Sequence, residues 1–143
     1  MSSKSEFAVS QVSGGFGCAT SVLTSFCEDY DLETDTAARL TCGLGGGCAL
    51  GEICGAVSGS LLVIGLKFGQ ETVGDAGAKA NCRAHVVQFN EKFKENNGAL
   101  TCRELLDCDP TTEEGHAIYL AKRETVCYGV VRNAVEILEE LGY

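Results

Sequence analysis

Apolar residues spaced three and four apart recur in every long segment of this chain, while alternation of period two is hard to find anywhere. A helix repeats its buried face every 3.6 residues and a half-buried strand every two. The pattern therefore predicts an all-α fold, a compact bundle of about five to seven helices. With 143 residues the chain is expected to form one helical, cysteine-rich domain over 1–143, large enough to bury a core without disulfides. Residues 1–14, rich in Ser and Gly and lacking the basic-then-apolar order of a secretory signal, read as a loosely ordered lead-in, and a cytoplasmic location is expected.

A first helix is predicted over about Phe16 to Asp29, with Ala19, Val22, Leu23, Phe26 and Tyr30 inward. A second, about Asp35 to Leu44, runs into Gly45-Gly46-Gly47, which no helix tolerates cheaply. The third, about Glu52 to Phe68, follows this glycine-rich loop and carries Gly51, Gly55 and Gly59 at spacing four. Such a stripe lets another backbone approach closely, so this is the expected central helix. A fourth spans about Ala76 to Asn96, with Cys82, Val86, Phe89 and Phe93 on one face and Gly98 as terminator. Thr101-Cys102-Arg103-Glu104 has the form of a capping box opening a short helix, and Pro110 is expected to restart the chain as a helix at its first position. On the last helix Cys127, Val130, Val131, Ala134, Leu138 and Leu141 form one stripe.

Charge excludes several partners. The net charge of −9 would repel nucleic acid and an anionic membrane surface alike. The stretch 40–66 carries a single charge, Glu52, but its eight glycines and short apolar second half suit a buried core helix better than a membrane span. Glu28, Asp29, Asp31, Glu33 and Asp35 form an acidic cluster that reads as a solvated loop and cap region, and that could also dock a basic redox partner.

Nine cysteines stand at 18, 27, 42, 48, 54, 82, 102, 108 and 127, with no Cys-x-x-Cys among them. That removes the thioredoxin signature, c-type haem attachment and zinc-ribbon knuckles. The odd count, in a compartment that keeps thiols reduced, argues against a disulfide framework. Nor does any nucleotide-loop, Ser-His-Asp or paired-carboxylate arrangement occur, so neither haem nor nucleotide is expected.

On the predicted helices Cys18, Cys54 and Cys102 fall at first turns, where unpaired backbone N–H groups favour thiolate over thiol. If these helix starts converge near Cys127, four sulfurs meet in one pocket, able to act as nucleophiles or as ligands for a soft metal. Cys42 and Cys48 continue the spacing Cys-x5-Cys-x5-Cys through the glycine loop. A six-residue step turns a helix by about 240°, so they could join the site only because that loop is irregular; they are reserve metal ligands. Gly45, Gly46 and Gly47 could offer N–H groups to a cluster or anion, and Gly55 permits close approach beside Cys54. Cys27, Cys82 and Cys108 read as packing residues, His85 as a partly buried helix histidine and His116 as surface.

With these residues in view, the chain resembles the family of redox-active proteins named for the cysteine pattern C, GCAxxG, C, C. The resemblance rests on Gly17-Cys18-Ala19, on Leu44-Gly45-Gly46-Gly47 leading to Gly51-Glu52-Ile53-Cys54-Gly55-Ala56-Val57-Ser58-Gly59, on Gly65-Leu66-Lys67-Phe68-Gly69, on Cys102-Arg103-Glu104-Leu105-Leu106 and on Cys127. The central block here reads Cys-Gly-Ala-x-x-Gly, the first two letters of the family's motif exchanged, and five further cysteines are additional. The resemblance implies a small helical redox protein with Cys18, Cys54, Cys102 and Cys127 as its site. Three functions follow as expectations. The first is an electron-transfer module whose four cysteines hold an iron-sulfur cluster or another metal. The second is a thiol-disulfide oxidoreductase using a helix-start thiolate, Cys18 or Cys54. The third is a non-catalytic interaction domain, such as a homodimer through the glycine-lined helix or the acidic cluster, with cysteines as core filler.

Overall fold

A computed structural model describes residues 2–143. Its helices are α1 (Ser3–Ser13), α2 (Cys18–Thr24), α3 (Thr34–Thr41), α4 (Gly55–Phe68), α5 (Ala76–Asn97), α6 (Cys102–Leu106), α7 (Glu113–Lys122) and α8 (Tyr128–Glu140). A π turn, Arg123–Cys127, joins α7 to α8 in one rod. The architecture is all-α, and the described residues contain no strand, only an isolated antiparallel bridge between Ile53 and Thr101. No helix among them is long and apolar enough to cross a membrane.

α4 is the central helix, packed against α2, α5 and α8. Its buried face is Gly55, Ala56, Val57, Gly59, Ser60, Val63 and Ile64. Against α2 the approach is backbone to backbone: a methyl group on Gly59 would lie 2.6 Å from the Ala19 carbonyl oxygen, and one on Gly55 would lie 2.8 Å from the Ala19 nitrogen. The predicted inward faces are buried at Ala19, Val22, Leu23, Phe26, Phe89, Phe93, Val130, Val131, Ala134 and Leu138. α5 ends where expected, at Gly98 with φ 89°.

The chain differs from expectation at three places. Where a loosely ordered lead-in was expected over 1–14, residues 3–13 form α1 (Met1 lies outside the described residues). The Ser5 N–H donates to Ser2 Oγ at 3.0 Å and the Ser2 N–H to Ser5 Oγ at 3.1 Å, so two serines complete a capping box without the usual Glu. α1 buries Ser5, Ala8 and Val12, packs on α8, and receives the Arg123 Nη2 donor at the Val12 carbonyl, 2.7 Å. α2 ends at Thr24 rather than Asp29. Its hydroxyls bond back to the preceding turn, Thr24 to the Thr20 carbonyl at 2.8 Å and Ser25 to Val22 at 2.6 Å, and the chain then tightens into a 3-10 turn, Glu28–Tyr30, closed by left-handed Asp31. Pro110 does not start a helix: Thr112 caps α7 instead, its Oγ1 accepting from the Gly115 N–H at 2.9 Å.

Candidate redox site

Four cysteines far apart in sequence line one cavity of about 430 Å³. Cys18 is the first residue of α2 and Cys102 the first of α6, Cys54 caps the N-terminus of α4, and Cys127 closes the π turn. Two local devices bring them together. The glycine face of α4 seats its start beside the start of α2, where the Gly55 position faces the Cys18 Cβ. A short backbone ladder then ties the chain before α4 to the chain before α6, the Cys54 N–H donating to the Leu100 carbonyl and the Cys102 N–H to the Glu52 carbonyl, each at 2.8 Å.

Cys54 and Cys127 are 3% and 7% exposed, and Cys18 and Cys102 are half-buried. The neighbouring Cys127 sulfur, burial and the charges of the other sulfurs together hold the Cys18 thiol well above the ordinary thiol range. Cys102 and burial act on Cys54 in the same way, opposed in part by the Ala56 N–H. Their partners move the other way: accepting from Cys54, and from the Gly55 N–H, lowers Cys102, while accepting from Cys18, and the charge of Arg123, lowers Cys127. Ionised sulfur is favoured at Cys102 as the sequence suggested, but first through Cys54 and then through the Gly55 amide at the start of α4, not through the amides of its own helix. At Cys18 and Cys54 the expectation fails, because burial and the donated thiol proton outweigh the amides.

Gly45, Gly46 and Gly55 line the cavity, whereas Gly47 does not. Cys42 and Cys48, the reserve ligands, are exposed and stand outside the lining. The reason is backbone geometry: Gly46, Gly47, Cys48 and Ala49 are all left-handed, a run that turns Ala49 toward the cavity. The packing reading fits Cys27, 3% exposed with its thiol donating to the Leu23 carbonyl at 3.6 Å, and Cys108, which donates to the Gly115 carbonyl at 3.5 Å. His85 stacks on Phe68 at 3.9 Å.

Sequence reasoning missed Tyr119 and assigned His116 to the surface alone. His116 is exposed yet lines the cavity, and Tyr119, its ring 5.7 Å away, lines it too. Burial, together with the sulfurs of Cys127, Cys18 and Cys102, raises the Tyr119 hydroxyl above its ordinary range against the lowering effect of Arg123. In a regular helix, eight residues would set Tyr119 and Cys127 about 80° apart; the extra residue taken up by the π turn brings them within about 20°. No spacing in the sequence announces that shift of register.

Around this site, among the described residues, no group of three or more His, Cys, Asp or Glu side chains is gathered closely enough to hold one metal ion. A family model described as "Putative redox-active protein (C_GCAxxG_C_C)" matches residues 16–141. Neither the curated proteins nor the solved structures contain a match to the chain.

Proposed function

The chain belongs to the redox-active C_GCAxxG_C_C family, and from that premise we propose that Cys18, Cys54, Cys102 and Cys127 form one redox centre that ligates an iron-sulfur cluster and passes single electrons. The observation that carries this reading is that four sulfurs from four separate chain segments surround one cavity. They line a volume and do not converge on a point, which suits a cluster with its own bridging sulfides better than a lone ion held at about 2.3 Å by each thiolate. The amides of Gly55 and Ala56 would stabilise the ligating sulfurs of Cys102 and Cys54. Bound there, a cluster supplies one-electron chemistry.

A second reading is favoured by the pairing of the thiols. Cys18 with Cys127 and Cys54 with Cys102 each join a raised and a lowered thiol. In each pair the lowered member is the better thiolate and attacks a substrate disulfide; its partner then displaces the mixed disulfide. Two protein thiols become one protein disulfide, and the substrate leaves with both electrons and both protons as two thiols.

Anaerobic purification followed by iron, zinc and acid-labile sulfide analysis separates the two. The cluster reading expects iron and sulfide together with visible absorption, lost in each single Cys→Ser variant at 18, 54, 102 and 127 and kept in C42S and C48S. Colourless, iron-free protein that forms the two named disulfides on mild oxidation supports the exchange reading. Protein with neither property refutes both.

A further inference from the structure

The cavity over the sulfurs holds more than the sulfurs require. At about 430 Å³ it falls within the size range of small-molecule sites. Its chemistry is selective: the chain carries 11 basic and 20 acidic residues, yet not one Lys, Arg, Asp or Glu lines this cavity. Leu105, Leu106, Val126 and Val130 form apolar wall, and Thr111, His116 and Tyr119 are the side chains other than cysteine able to hydrogen-bond into it. The exposed lining residues, Gly17, Gly46, Ala49, Thr111 and His116, mark the mouth. The wall at Ala49 is maintained against backbone strain, since Cys48 and Ala49 are both left-handed without being glycine.

We infer that this chamber binds a small molecule without negative charge, with an aromatic or aliphatic body and one or two hydrogen-bonding groups, seated against the four sulfurs. An anionic ligand would leave water for a wall that offers it no Lys or Arg and whose Cys102 and Cys127 favour negative sulfur. The molecule's apolar body meets the Leu and Val side chains, and its polar groups meet His116, Tyr119 or Thr111. That it is the electron partner of the sulfurs rests on the function proposed above; its binding does not.

The test uses the full chain, purified without oxygen, and two probes of one shape: 2-naphthol and 2-naphthoate. Calorimetric titration is expected to show saturable binding of 2-naphthol at least about tenfold tighter than of 2-naphthoate. Val126→Trp and, as a second filling variant, Leu105→Trp are each expected to weaken 2-naphthol about tenfold or more, with each variant shown to be folded by circular dichroism. Equal affinity for the two probes, no saturable binding of 2-naphthol, or unchanged affinity in both folded variants overturns the inference. Binding in a protein without a sulfur centre leaves the inference standing and removes the proposed function. A sulfur centre without binding does the reverse.

Discussion

Gly59→Ala tests the contact on which the site is built. The added methyl group would lie 2.6 Å from the Ala19 carbonyl oxygen and 2.9 Å from the Ala19 Cα, both backbone atoms of α2 that cannot rotate away. Restoring an ordinary contact would require α2 and α4 to part by roughly 0.8 Å, an overpacking distortion worth about 1–3 kcal/mol and here near the upper end. Alanine's better helix propensity returns about 1 kcal/mol, so the net loss is about 2 kcal/mol. Gly65 supplies the control within the same helix: nothing lies within 4 Å of a methyl group there, so Gly65→Ala should stabilise by about 0.5–1 kcal/mol. Urea unfolding reads both. Because the same displacement draws Cys18 away from Cys54, Gly59→Ala should also alter the native reactivity of those thiols while Gly65→Ala leaves it alone. A Gly59→Ala protein as stable as wild type would refute backbone-to-backbone packing as the device that assembles the cavity.

Further outcomes follow from the same geometry. In the reduced, metal-free protein Cys18 and Cys54 are held above their unfolded values, so their contribution to stability is complete below the unfolded thiol range of about 8.5 and is lost as pH rises through the folded values; urea midpoints should fall with alkaline pH, and less so in the Cys18→Ala, Cys54→Ala double variant. Under native alkylation of that protein, exposed Cys42 and Cys48 should react first and buried Cys27 and Cys54 last, with half-buried, lowered Cys102 between them; mass spectrometry of partly labelled protein gives the order. Deleting residues 2–13 removes buried Ala8 and Val12 and should lower Tm; an unchanged Tm would restore the loose lead-in. Thr112→Ala should cost about 1 kcal/mol in chemical denaturation through loss of the α7 cap.

The parts of the fold legible in sequence were those governed by local periodicity. The stripe from Cys127 to Leu138 and the Phe89–Phe93 face are buried as their spacing predicts. So was the close approach at Gly55 and Gly59, because a glycine stripe has few other uses in a helix. What escaped depends on exceptions to that periodicity. α1 is capped by Ser2 and Ser5, residues that elsewhere mark loops. The π turn at Arg123–Cys127 changes the register that would have tied Tyr119 to Cys127. The left-handed run through Cys48 and Ala49, adopted by two residues that ordinarily avoid it, leaves Cys48 outward. The four cavity cysteines were found from helix starts and from family resemblance together. The approach of Cys54 to Cys102 was not, since it follows from the Ile53–Thr101 bridge, a contact that no local pattern encodes.

The account stands most directly on whether these four sulfurs behave as a unit. Differential alkylation, comparing apo-reduced protein with protein either loaded with iron and sulfide or mildly oxidised, measures this site by site. Simultaneous protection of Cys18, Cys54, Cys102 and Cys127, with Cys42 and Cys48 still labelled, is the predicted result. Protection that includes Cys42 or Cys48, or that omits any one of the four, would contradict it.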